Sequence, residues 1–189
     1  MKSRYGEITK EILLTVALTG MIVVASTSPY FLTNIARAIM KNKKYGEKKA
    51  TERKIARSLM RLREKRLIII QEKEDGNFVV KATVGGKKVI EEINIENLEI
   101  KKQSVWDKKW RMVAFDIPDH RKNARDALRE KLKELKFYQF QKSLFICPYP
   151  CEREIQFLCE FFDITSFVNI IIAEKIHNDI KVRARFNIL

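Results

Sequence analysis

The chain has 189 residues, 46% hydrophobic and 10% aromatic, enough apolar material for packed cores and too much for a globally disordered protein. Lys and Arg number 38 against 24 Asp and Glu, a net charge of +14 that favours a polyanionic partner, nucleic acid or an anionic membrane surface. The three cysteines, an odd number crowded between residues 147 and 159, suit a reducing cytoplasm better than a disulfide framework, and His120 and His177 add no repeated ligand spacing for zinc.

The first predicted element is a helix over residues 8–25, apolar almost all round. Its uncharged run, residues 12–25, is shorter than the roughly 20 residues a bilayer span requires. Glu7 and Glu11 spoil a basic signal-peptide start, so a buried core helix and no membrane partner are expected. Ser28 then reads as an N-cap with Pro29 at the first helical position. A second helix is expected to about Asn42, burying Phe31, Leu32, Ile35, Ile39 and Met40. A basic turn over residues 41–49, containing Gly46, leads into a third helix over residues 47–66.

That third helix concentrates the charge. Residues 37–66 hold 13 Lys/Arg against three Glu, matching the whole excess of residues 1–104. At 100° per residue, Arg53, Lys54, Arg57 and Arg61 share one arc with Ser58 and Lys65. Ile55, Ala56, Leu59, Met60, Leu62 and Leu67 fill the other, with Glu52 and Arg63 as exceptions. One apolar face docks on a core while a cationic face points outward. Two helices, a turn and an amphipathic basic helix make the helix-turn-helix order.

Residues 67–72 and 78–82 read as strands joined through Asp75-Gly76-Asn77, a tight-hairpin signal, with Lys73 and Lys81 near its tip and base. This hairpin would be the wing of a winged helix. Thr83 caps a short helix ending near Glu92, residues 93–105 look extended, and the domain boundary falls near Lys102. The domains expected are therefore residues 1–102 and 103–189.

From Trp106 the character changes. A strand over residues 110–117 precedes a helix over 121–136 capped by Asp119. Strands over 138–141 and 143–147 stop at Pro148-Tyr149-Pro150. A helix over 152–161 and a strand over 167–173 follow. The fold class is α+β, and β-α-β-β-α-β is the order of the ferredoxin-like sandwich. Residues 177–189 alternate weakly, as a strand pairing with another subunit would. Trp106 and Trp110 are expected to seal the junction between domains. Cys147 and Cys151 form a possible redox pair, although the rigid Pro-Tyr-Pro turn explains their spacing more simply.

Several motifs then fall in order: Trp106-Asp107 with Trp110-Arg111, Phe115-Asp116-Ile117-Pro118, Arg125 with Arg129, Phe137 through Gln141 to Ser143 and Phe145, and Cys147-Pro148-Tyr149-Pro150-Cys151. Together they resemble the PaaX-like regulators, in which a winged helix precedes a Cas2-like ferredoxin domain. The resemblance implies a cytoplasmic, homodimeric DNA-binding transcriptional regulator, a repressor, bound to double-stranded DNA. The full repressors carry a further C-terminal domain, so their coenzyme A thioester effector is not carried over, and any effector is left unassigned.

In that reading the basic helix enters the major groove. Lys48, Lys49, Thr51 and Lys54 lie nearest base edges. Arg53, Arg57, Arg61, Lys43 and Lys44 meet phosphates, and Lys73 and Asn77 reach the flanking groove. No cofactor is required. The alternative implied by the resemblance is a metal-dependent Cas2-like nuclease acting on RNA or DNA, or a CRISPR-adaptation-type protein. There Asp116 beside its symmetry mate would hold Mg²⁺ that activates water. A third reading is an adaptor that docks a protein by strand addition through residues 182–189.

Overall fold

The computed structural model describes residues 5–25 and 48–188, with the side chains of residues 24, 25 and 48–52 outside the description. The chain divides into two units, Met1–Asn97 and Leu98–Leu189. The boundary expected near Lys102 lies inside the irregular segment that begins the second unit.

The first unit runs α1 (Glu7–Thr19), β1 (Ile22–Ala25), α2 (Lys48–Glu64), β2 (Ile68–Glu72), β3 (Asn77–Ala82) and α3 (Val84–Glu96). The single helix expected over residues 8–25 is thus a helix and a strand. Gly20 at φ 69° turns the chain through the left-handed region, which glycine adopts at no steric cost. The β-branched Ile22-Val23-Val24 that follows pairs antiparallel with β3, Ile22 facing Val80 and Ala25 facing Asn77. The expected helix from Ser28 to Asn42, with its five buried apolar residues, lies outside the described residues, as does the turn before Lys48.

The strand order is β1-β3-β2, all antiparallel. The β2–β3 hairpin turns as expected. Lys73 N–H donates to the Asn77 carbonyl at 2.7 Å, and Gly76 has φ 74°. Thr83 caps α3, its hydroxyl oxygen accepting from Gly86 N–H at 3.0 Å. The helix continues past Glu92 because Ile93 and Ile95, read in sequence as extended, bury inside it at 1% and 4% exposure. Packing overrides the strand preference of these residues. Ile12, Leu13 and Val16 of α1 meet Ile55, Leu59 and Leu62 of α2 in one core with Val80 and Ile90.

The second unit runs β4 (Trp110–Phe115), a 3₁₀ turn (Asp119–Arg121), α4 (Lys122–Glu134), β5 (Tyr138–Gln141), β6 (Leu144–Cys147), α5 (Glu152–Phe161), β7 (Val168–Ala173) and α6 (Ile180–Phe186). A second 3₁₀ turn, Thr165–Phe167, precedes β7. Strands are ordered β5-β6-β4-β7 with every neighbour antiparallel, the split β-α-β arrangement. Two expectations are corrected. Asp119 caps no helix; its carboxylate takes Arg125 Nη1 at 2.9 Å. The tail forms helix α6 rather than a strand, burying Val182 at 1% exposure beside Trp110 and Ile146, which removes the strand-addition adaptor. Trp106 and Trp110 pack on each other at 4.8 Å within this unit's own core.

Four helices end alike. Leu67 N–H reaches the Leu62 carbonyl at 2.9 Å and Arg66 N–H reaches Arg63 at 2.9 Å, with Arg66 left-handed at φ 55°. The same pair of bonds recurs around Lys136, Asp163 and Asn187. This is the Schellman closure with a non-glycine residue at its left-handed position. Among the described residues no helix is long and apolar enough to cross a membrane.

Candidate nucleic-acid interface

Helix α2 is held by three side chains one turn apart. Ile55, Leu59 and Leu62 are 2%, 0% and 1% exposed. Burying each such side chain contributes about 1.5–3 kcal/mol, enough to fix which face of α2 turns inward. Met60, expected on that face, is exposed instead, because only the narrow 55–59–62 stripe meets the core. Arg53, Lys54, Arg57 and Arg61 are exposed, and among the described residues none of them makes an ion pair. Four cations within nine positions, spaced one turn apart or adjacent, repel one another unless an anion lies over them.

The N-terminus of α1 adds to the same field. Gly6, Glu7, Ile8 and Thr9 form one wall of a groove of about 420 Å³ whose other wall is Lys54, Arg57, Ser58 and Arg61. Gly6 offers no side-chain cap, so α1 brings the partial positive charge of its first turn to this wall. Glu7 is also in the groove, 3.8 Å from Lys10. Lys65 lies over Tyr5, its ammonium 5.4 Å from the ring centre.

The hairpin is different. Lys73 is exposed among Glu72, Glu74 and Asp75. Asn77 gives its side-chain N–H to Asp75 at 2.8 Å and its backbone N–H to the same carboxylate at 3.0 Å. Those bonds hold the Asp75 carboxyl below its ordinary range. The tip therefore carries three carboxylates to one ammonium, and Asn77 is already engaged. Lys43 and Lys44 lie outside the described residues. Lys48, Lys49 and Thr51 begin α2, with their side chains outside the description.

Asp116 directly follows β4, exposed, with its backbone N–H on the Phe167 carbonyl at 3.0 Å. It opens on a groove of about 800 Å³ lined also by Gln141, Ser143, Ser166 and Asn169. The donors are one carboxylate plus neutral hydroxyls and amides. Among the described residues no three His, Cys, Asp or Glu gather as a metal cluster. Hard dications favour several anionic oxygens, so one chain's residues do not by themselves fit Mg²⁺, and no hydrolytic step is derived through it.

In the second unit, by contrast, five of the arginines are answered by carboxylates. Arg111 lies in a fork with Asp107, at 2.7 and 2.6 Å, and also reaches Glu152 at 3.4 Å. Arg121 pairs with Asp163 at 2.8 Å, Arg129 with Asp126 at 3.2 Å, and Arg183 with Asp179 at 2.8 Å. Sequence spacing marks Asp107–Arg111 and Asp179–Arg183, four residues apart, and Asp126–Arg129, three apart, but not the others. The Arg111 fork draws the Asp107 carboxyl below its ordinary range.

Residues 103–184 match the family model described as the PaaX protein central Cas2-like domain. No curated protein matches the chain.

Proposed function

With a PaaX-type Cas2-like domain as its second unit, we propose that this PaaX-like chain is a DNA-binding transcriptional regulator, a repressor, acting as a homodimer on duplex DNA. The carrying observation is the α2 face itself: Arg53, Lys54, Arg57 and Arg61 exposed, without an ion pair among the described residues, and backed by three fully buried side chains. The order α1-β1, then α2-β2-β3 with a β1-β3-β2 sheet, supports reading the first unit as a winged helix with α2 as its recognition helix.

In that role the N-terminal residues Lys48, Lys49, Thr51 and Lys54 approach base edges, where lysine donates to guanine. Arg53, Arg57 and Arg61, with Lys43 and Lys44 before the helix, meet phosphates. The groove shared with α1 seats one such phosphate, because its amide dipoles and guanidinium groups are of one sign. Lys73 and Asn77 contribute least, since the hairpin tip is net negative. The Cas2-like unit pairs two copies so that two α2 helices read half-sites about one helical turn apart. Exposed Ile171 and Ile172 on the edge strand β7 support such pairing.

The test is a salt titration of binding to duplex DNA. Arg53→Ala with Arg57→Ala lowers affinity and shallows the slope of log K against log salt by about 0.9 for each phosphate no longer neutralised. An unchanged slope rejects these two residues as phosphate ligands. The same DNA, incubated with Mg²⁺ and run on a gel, remains intact; cleavage that disappears in Asp116→Ala would replace this reading with the nuclease.

A further inference from the structure

The strongest unassigned chemistry lies at the end of β6, in the unit that carries none of the residues assigned to DNA contact. Cys147 is the last residue of that strand, opposite Arg111, and Cys151 immediately precedes α5. Pro148 and Pro150 restrict the intervening backbone, and only three residues separate the two cysteines. Both side chains are buried, at 2% and 0% exposure, and neither is in a disulfide. Each thiol is the largest influence on the other's proton affinity.

Cys147 also lines a cavity of about 570 Å³. Lys102, Lys136 and Arg185 stand on its wall against Glu99 and Glu134, and Glu134 is itself bonded to Lys131 at 3.1 Å. Tyr149 and Phe186 meet edge to face at 6.3 Å beside them. A cavity of this size holds a small molecule, and its balance of charge suits one that carries carboxylates.

We propose that Cys147 is a thiol–disulfide exchange site with Cys151 as its resolving thiol, reached through this cavity by a low-molecular-weight disulfide that bears carboxylates. The assignment is independent of DNA binding. The two thiols have divided roles. The Cys151 thiol, then the Tyr149 backbone and the nearby Arg111 charge, outweigh burial and set the Cys147 thiol below the ordinary range. The Cys147 thiol, together with burial, drives Cys151 upward, so it keeps its proton until Cys147 has reacted. Cys159 is the internal contrast, pushed up to about 11 by burial and by Glu160.

The exchange proceeds in two displacements. The Cys147 thiolate attacks one sulfur of the small disulfide, whose S–S bond breaks; the departing thiolate takes a proton from solvent. Cys151 then releases its proton and attacks the Cys147 sulfur, expelling the second small thiol. The protein dithiol is oxidised to a disulfide, and one small disulfide is reduced to two thiols.

The probe is glutathione disulfide, added to the reduced full chain, with free thiols alkylated after an acid quench and mapped by peptide mass. A loss of two hydrogens confined to the peptide holding Cys147 and Cys151, with Cys159 left free, is expected. Cys151→Ser stops at a mixed disulfide on Cys147. Cystamine, a cationic disulfide, reacts about tenfold more slowly if the cavity charge selects; equal rates overturn the carboxylate preference. Cys159 reacting as fast as Cys147 in the native chain, or a native chain left reduced while the urea-unfolded chain oxidises, overturns the exchange site itself. The wild-type mapping alone decides this, whatever the variants do to folding.

Discussion

The arginines of the two units differ less in number than in what surrounds them. On α2, Arg53, Arg57 and Arg61 stand one turn apart on the same face, without a carboxylate partner among the described residues. In the second unit Arg111, Arg121, Arg125, Arg129 and Arg183 each have an Asp oxygen within 3.2 Å. A paired arginine presents little field beyond a few ångströms, whereas unpaired ones on one helix face sum. Net charge is therefore a poor guide to an anion-binding surface: the open face, and not the excess of lysine and arginine, is what points to a polyanion.

The contrast between the units breaks most readily at the platform beneath the open face. Leu59→Ala removes a fully buried side chain under α2 and costs about 2–5 kcal/mol. Thermal unfolding followed by circular dichroism should show the first unit melting early, with DNA affinity falling at the same temperature. If affinity survives where the unit has melted, α2 does not present the binding face.

Arg111→Ala tests the opposite kind of arginine. It strands the Asp107 carboxylate and costs roughly 2 kcal/mol, read by urea denaturation, while leaving the salt dependence of DNA binding alone. The pair also carries a pH signature. The folded Asp107 carboxyl lies below its unfolded value, so its contribution is complete above about pH 4 and is lost as acid protonates the folded carboxylate. Asp107→Asn removes that part of the acid destabilisation, and the stability profile below about pH 4 becomes flatter.

Thr83→Ala deletes the cap of α3 and should cost about 1 kcal/mol of the first unit's stability, again by denaturation. The smallest effect is expected of Arg121→Ala with Arg125→Ala. Exposed pairs of this type contribute at most about 1 kcal/mol each. Neither substitution should change the slope of log K against log salt. A slope that moved as far as for the Arg53 and Arg57 pair would erase the distinction between the two sets.

The parts of this architecture that repeat locally were legible. The 55–59–62 stripe of α2, the turn at Gly76, the cap at Thr83 and the β-α-β-β-α-β order all follow from spacing or from single residues with a defined conformational role. Helix ends were less legible. Left-handed residues at Arg66 and Lys136 close α2 and α4, and without a glycine there nothing marks the stop, so both helices read about two residues too long. The candidate interface divides in the same way. The amphipathic pattern shows a cationic face, but Asn77's engagement with Asp75 requires the folded hairpin to be seen.

Sequence by itself determined the segments that bury one face, because apolar side chains at helix or strand period must meet a core wherever that core lies. Only the tertiary structure decided that residues 22–25 form a strand, since their partner β3 lies more than fifty residues away. It also decided that the tail folds as α6 onto Trp110 and Ile146. The same holds for which arginines find carboxylates, and for the cavity that Cys147 lines. Pairing and enclosure depend on groups distant along the chain, and local periodicity carries no information about which distant group arrives.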